Sequence, residues 1–269
     1  MLLIRKLKKS EIEILKDFPP EDWHFNIVDF LKANYSKPYF EVVAAEVDNK
    51  IAGTGNVFIQ GETAWLGNII VHQEFRKRGI GKAVTEKLMN ISEANNCKSI
   101  LLVASRDGEK LYPKLGFKIS SYYEFYKNER ILDLGTSESI VKNAARYYSQ
   151  VNKLDKKISG EVRSDFLKAY FSNSFVFKNL SNNIEGFYLP GCGRGLIIAE
   201  NDKAGIELLK LRCKENRFNT VIPEQNESAK RFLLENGFEL YNKAPRMYFG
   251  SEVNWKPEMI FSRGSGYAG

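Results

Sequence analysis

One stretch narrows what this chain can fold into more than any other: Leu66 to Lys87, LGNIIVHQEFRKRGIGKAVTEK. An apolar run from Leu66 to Val71 stops abruptly. A basic loop with two glycines follows, Arg76, Lys77, Arg78, Gly79, Ile80, Gly81 and Lys82, and then Ala83, Val84, Lys87 and Leu88 recur at helical spacing. The pattern reads as strand, tight loop, helix. Free backbone N–H groups at a helix start carry partial positive charge, and glycines let a ligand approach the main chain. The stretch is therefore an anion site, strengthened by its cationic side chains. It does not fit a dinucleotide fingerprint, because Val84 stands where a third glycine is needed. Nor does it fit a nucleoside-triphosphate loop, of which only Gly79, Gly81 and Lys82 are present.

Around this stretch the chain reads as strand (2–7), a short helix capped by Ser10, and a second helix at 22–32. Three strands in a meander come next, 40–47, 51–59 and 63–71, then a helix at 81–95, a strand at 99–104, a short helix at 108–115 closed by Gly116, and final strands from Phe117. Shifting the numbering by 121 lays residues 82–117 on 203–238 without a gap. Lys82, Ala83, Glu86, Leu88, Asn95, Gly116 and Phe117 then meet Lys203, Ala204, Glu207, Leu209, Asn216, Gly237 and Phe238. The chain is read as an internal repeat. In the second copy the apolar strand Gly195 to Ala199 runs almost directly into Glu200, Asn201 and Asp202 and its helix, without a basic glycine loop. Carboxylates there cap a helix well and repel a pyrophosphate. Between the copies, 137–157 reads as helical.

R-x-x-G-x-G after a strand (Arg76, Gly79, Gly81) resembles the acyl-CoA pyrophosphate loop of the GNAT N-acetyltransferase superfamily. A second motif, SRDGEKLYPKLGF (105–117), is similar to that family's N-x-x-A-x-x-L-Y-x-x-x-G-F. Tyr112, Gly116 and Phe117 match, Ser105 stands where asparagine is usual, and Gly108 where alanine is usual. The pattern D-x-x-x-x-G-x-x-R-S (Asp155, Gly160, Arg163, Ser164) and the closing segments Arg246-Met247-Tyr248 and Met259-Ile260-Phe261 are similar to the C-terminal domain of bacterial tandem-GNAT proteins. The resemblance implies an α/β fold with mixed sheets, made of two GNAT-like domains in tandem. Their extents are 1–134 for a catalytic, acetyl-CoA-binding domain, 135–173 for a helical linker and the start of the second domain, and 174–269 for a degenerate second domain.

It also implies acyl transfer from acetyl-CoA, as co-substrate, to a primary amine on a small molecule or peptide, with no metal. In the family two strands splay around the cofactor's pantetheine arm. Here main-chain groups of Ile69, Ile70 and Val71 would pair with that arm. Backbone N–H groups of Arg78, Gly79, Ile80, Gly81 and Lys82 would hold the pyrophosphate, with Arg76, Lys77 and Ser105 nearby. Tyr112 would protonate the departing thiolate, its ordinary pKa near 10 keeping it protonated at neutral pH. The general base stays open between Glu62, Glu46, His24 and a water. Leu233 stands where Tyr112 has its counterpart, so the second copy is read as binding no CoA. The rival function is a non-catalytic acyl-CoA-binding or regulatory protein.

Bulk properties agree. Net charge is +7, but only the loop at 76–82 is densely basic, which suits one phosphorylated ligand better than nucleic acid. Three cysteines without framework spacing and two histidines point to a reduced, zinc-free, cytoplasmic protein. Cys192 reads as lying on an exposed turn where it could react, Cys97 and Cys213 as inert. No apolar run is long enough for a membrane span. The expected state is a monomer with an internal pseudo-dimer, or a weak homodimer. Tyr147, Tyr148, Tyr170 and Phe171 read as core, with an acceptor wall as the alternative.

Overall fold

The computed structural model describes residues 1–266 except 24, 131, 133, 136, 143 and 216–218, and the backbone alone at 22 and 144. His24 and Asn216 thus lie outside the described residues. The first copy runs β1 (Leu2–Lys6), α1 (Ile27–Asn34), β2 (Phe40–Val47), β3 (Lys50–Gln60), β4 (Thr63–Val71), α2 (Ile80–Ala94), β5 (Ser99–Val103) and β6 (Lys118–Lys127). The second runs β7 (Ile140–Lys142), α3 (Tyr148–Ser159), α4 (Ser164–Lys168), β8 (Phe175–Lys178), β9 (Ile184–Leu189) and β10 (Leu196–Ala199). It continues with α5 (Asp202–Lys214), β11 (Asn219–Pro223), α6 (Glu227–Glu235), β12 (Glu239–Gly250) and β13 (Ile260–Ser262).

Four expected helices differ in kind or start. The one expected from Ser10 is a 3-10 turn, Lys9–Leu15, whose Glu11 grips Arg5 at 2.8 Å. The one expected at 22–32 begins only at Ile27, because Asn26 caps it by accepting from the Asp29 N–H at 3.1 Å. The segment expected at 137–157 is helical only from Ala144. Its β-branched start, Ile140 and Val141, pairs with Phe177 and Val176 of β8 instead. The expected helix at 108–115 is two 3-10 turns, Gly108–Lys110 and Tyr112–Leu115, closed by Gly116 at φ 88°.

Two sheets form. The larger has the order β1-β2-β3-β4-β5-β12-β6-β11, the smaller β13-β10-β9-β8-β7. β4 and β5 pair in parallel; every other recorded pairing is antiparallel. The repeat explains the order. β12 is the second copy's counterpart of β6, and it sits between β5 and β6. β11 is the counterpart of β5, and it pairs with β6. Each copy's last long strand therefore lies against the other copy's penultimate one. Tyr123 opposes Ala244, its own counterpart at a shift of 121, so the pseudo-twofold passes through the β6–β12 pair.

One sheet face packs on α2, where Ile80, Val84 and Leu88 meet Leu66, Ile100 and Leu102. On the other face Phe58, Trp65 and Leu101 pack with Phe30 of α1 and Phe166 and Leu167 of α4. Burying each such side chain contributes roughly 1.5–3 kcal/mol. Tyr148 and Phe171 are edge-on at 4.9 Å, and Tyr170 meets Phe166 at 5.2 Å; with Tyr147 they belong to this core.

The D-x-x-x-x-G-x-x-R-S pattern is a buried staple in this core. Arg163 donates to both carboxylate oxygens of Asp155, at 2.7 and 2.9 Å, with both side chains almost fully buried. Glu161 beside them accepts from Trp65 Nε1 at 2.7 Å and Thr63 Oγ1 at 3.3 Å, tying the second copy's start to β4. Burial holds the Glu161 carboxyl above the usual carboxylate range, against the pull of Arg163 and Arg246.

Candidate active site

The site lies where β4 and β5 part. They pair only at Thr63, Ala64 and Trp65. Beyond Trp65 the two strands diverge. A bulge between the pairs Asn56–Gly67 and Thr54–Ile70 puts an extra residue into β4, and Asn68 takes a left-handed φ of 48° there. Asn68 Nδ2 donates to Asn56 Oδ1 at 2.8 Å. Asn68 is thus the side chain that braces the bulge.

A cleft of about 510 Å³ opens into this splay. Ten of the sequence candidates line it: Ile69, Ile70, Val71, Arg76, Lys77, Gly79, Ile80, Gly81, Ser105 and Tyr112. Two do not. Arg78 lies over the Phe75 ring at 5.4 Å, and Lys82 faces Glu86 at 3.7 Å along the exposed side of α2. Six lining residues were not singled out as contacts from sequence: Pro20, Trp23, Phe75, Asp107, Gly108 and Leu111. Phe75 adjoins the basic loop, and Asp107, Gly108 and Leu111 stand inside the second motif, so position alone was the available signal. Pro20 and Trp23 arrive from a turn far earlier in the chain.

The α2 end is built to be open. No side chain caps it, no acidic residue stands in its first turn, and Gly79 occupies the N-cap at φ 77°. Gly79 needs its glycine for that φ alone, since a Cβ there would meet nothing within 4 Å. Gly81 has no positive φ. A methyl there would rest 3.8 Å from Leu111 and from Val71, an ordinary contact. The fold does not demand glycine at 81, and the missing side chain leaves the first turn of α2 open to the cleft. Arg76 Nε donates to the Val71 carbonyl at 3.2 Å, tying the loop to the strand end.

Tyr112 sits at the cleft wall, 7% exposed, with its ring 5.7 Å from that of Phe117. Burial pushes its phenol up to about 12, and no side-chain hydrogen bond contributes. It is fully protonated at neutral pH. Ser105 Oγ accepts from the Gly108 N–H at 3.4 Å, so this hydroxyl braces the turn that carries Gly108 and Tyr112.

Two of the base candidates, Glu62 and Glu46, lie elsewhere. Glu62 precedes β4 at the end remote from the cleft and pairs with Lys98 at 2.6 Å. Glu46 pairs with Arg5 at 2.6 Å on the β1 side. Asp107 is the one carboxylate among the described residues lining the cleft. His72 packs on Phe18 at 5.1 Å, as a structural histidine would. Cys192 corrects the sequence reading: it is 1% exposed, and burial pushes its thiol up to about 12. An unreactive thiol results. Cys213 is buried and Cys97 partly so. Among the described residues, no cluster of three or more His, Cys, Asp or Glu side chains able to hold a metal occurs, and no helix is long and apolar enough to cross a membrane.

The second copy is closed at the corresponding place. Asn201 caps α5 by accepting from the Ala204 N–H at 2.9 Å, and Asp202 follows in the first turn. β13 pairs with β10 on one side, and the Arg263 N–H donates to the Val221 carbonyl of β11 at 2.7 Å on the other. The gap between β10 and β11 is thus filled by the chain's own strand. Phe261 of β13 packs on Gly205, where any Cβ would overlap its ring.

Comparison with known proteins agrees with this geometry. Residues 9–117 match the sequence model of the Acetyltransferase (GNAT) family, and residues 151–262 match a model of the Acetyltransferase (GNAT) domain. Glucosamine 6-phosphate N-acetyltransferase of Arabidopsis thaliana is 28% identical over 95 residues, 31% of this chain and 64% of that relative. The uncharacterized N-acetyltransferase YitH of Bacillus subtilis is 22% identical over 219 residues, 76% of each chain. A solved structure from Pyrococcus horikoshii superposes with a TM-score of 0.85 at 22% identity, covering 100% of this chain and 96% of that one.

Proposed function

Since the chain belongs to the GNAT acetyltransferase family, with one GNAT match in each half, we propose that it transfers an acetyl group from acetyl-CoA to a primary amine in its N-terminal cleft. One observation carries this reading. A single cleft joins an uncapped helix start that has room above Gly81, a strand edge left without a partner, and a buried, protonated phenol. These fit the three parts of an acyl-CoA: the pyrophosphate, the extended amide-bearing arm, and the thioester sulfur.

When bound, acetyl-CoA supplies an acyl group already activated as a thioester. The chain's part is to position it and to manage protons. First-turn N–H groups of α2 and the cations Arg76 and Lys77 hold the phosphates. The β4 edge at Ile69, Ile70 and Val71 orients the arm. Tyr112 Oη keeps its proton in the cleft and is the donor available to the leaving sulfur. The amine enters the same cleft, where Trp23 and Pro20 join the lining.

One observation favours the rival reading of an acyl-CoA binder without catalysis: neither Glu46 nor Glu62 is among the cleft residues. Release of free CoA thiol separates the two. Acetyl-CoA is offered with a panel of amines, glucosamine 6-phosphate included because of the Arabidopsis relative. We expect amine-dependent thiol release, and at least a tenfold loss, about the size of general-acid help, in Tyr112→Phe. Binding without release on any amine supports the rival. No calorimetric binding of acetyl-CoA, or binding unaltered by Arg76→Ala with Lys77→Ala, overturns both.

A further inference from the structure

The second motif departs from its family pattern at Gly108, where alanine is usual, and the structure supplies a reason. In helical turns a long side chain leans back over the residue four positions earlier. Tyr112 leans on Gly108. A Cβ on Gly108 would come within 3.2 Å of both Cδ2 and Cζ of the Tyr112 ring, and closer still to Cε2. The atom met is the body of a ring, not the end of a flexible chain. The ring is held from another side by Phe117, so it cannot move off without changing where its hydroxyl points. Gly108 and Tyr112 both line the cleft. Gly108 has no positive φ, so the turn itself does not call for glycine.

We propose that Gly108 is a positioning residue for Tyr112: its missing methyl lets the ring lie against the backbone, which sets the depth and direction of the hydroxyl in the cleft. The inference rests on the reading of Tyr112 as proton donor. Seated this deeply, the phenol is shielded from water and stays protonated well above its ordinary range. An alanine would push the ring off this seat and change where its hydroxyl points.

The test has an arm that needs no variant and no turnover. In the wild-type protein with 13C-labelled tyrosine, the Tyr112 ring protons should show a nuclear Overhauser effect to the Gly108 α protons, which the ring should shift upfield. The Tyr112 ring carbon should titrate near 12. In Gly108→Ala that titration should fall toward about 10, the ordinary value. Turnover should drop about tenfold to hundredfold, the scale of a misplacement near 1 Å, with the KM for acetyl-CoA unchanged. In a Tyr112→Phe background the same substitution should cost no further turnover, because there is no longer a hydroxyl to place. Absence of the Overhauser effect and of the upfield shift overturns the proposal, as does an equal loss of turnover in the Tyr112→Phe background. A Tyr112→Phe enzyme as fast as wild type overturns the proton-donor reading instead, and the two spectroscopic readouts still decide whether Gly108 seats the ring.

Discussion

Gly79 and Gly81 stand two residues apart, and their glycines answer to different needs. Gly79 carries a φ of 77°, which costs a residue with a side chain roughly 1–2 kcal/mol. Gly81 lies in the first turn of α2 with room for a methyl group. Gly79→Ala is therefore expected to lower the melting temperature. Gly81→Ala should leave it unchanged or raise it, since alanine favours the helix. For acetyl-CoA the order reverses: calorimetry should show at least a tenfold weaker Kd in Gly81→Ala, about 1.4 kcal/mol, because the methyl stands between the ligand and the main chain. Unaltered affinity in Gly81→Ala would remove the helix start from the binding site. Both glycines were legible in the sequence as one motif. Only the backbone angles and the open space separated a glycine that the turn requires from one that it does not.

Among elements, the segment from α3 into α4 is stapled by charge in a place water does not reach, and its Glu161 ties it to β4 of the first copy. Asp155 and Arg163 are about 2% and 1% exposed. Removing one partner leaves the other charged, buried and unpaired, so Arg163→Ala should cost about 3–5 kcal/mol in denaturant unfolding. Truncating Lys98, whose pair with Glu62 is mostly exposed, should cost at most about 1 kcal/mol. Equal costs for the two would mean that the staple is not the anchor it looks to be. The sequence showed these residues as a pattern without showing their task, since the eight positions from Asp155 to Arg163 become a bidentate pair only once the chain turns at Gly160. The same limit explains the reading of 137–157 as a single helix. Its apolar spacing suits a helix, but Ile140 and Val141 find a strand partner in β8, and tertiary pairing overrides a periodicity that short segments carry weakly.

For the whole molecule, the two copies are one scaffold used in two ways. β6 and β12 lie side by side at the pseudo-twofold, and each copy's sheet is completed by the other's strand. Only the first copy keeps the gap between its splayed strands open to a ligand; in the second, β13 fills that gap and Asn201 with Asp202 closes the helix end. Titration of the intact chain with acetyl-CoA should accordingly give one site per chain. Two sites would mean that β13 yields its place, and would overturn the assignment of a single working cleft.

What the sequence determined by itself is local: the basic glycine loop, the second motif with Tyr112, the repeat at a shift of 121, and the loss of the loop from the second copy. Each is written in residue types a few positions apart, where sterics, helix-end charge and glycine's freedom act over one or two turns of chain. What only the tertiary structure decided is which strands lie next to which: β12 between β5 and β6, β13 in the second gap, Trp23 and Pro20 brought to the cleft, and Glu62 and Glu46 kept away from it. Strand pairing is made by backbone N–H and C=O groups that are the same in every residue but proline. A sequence can therefore announce a strand without naming its neighbour, and it is the neighbour that leaves one cleft open and fills the other.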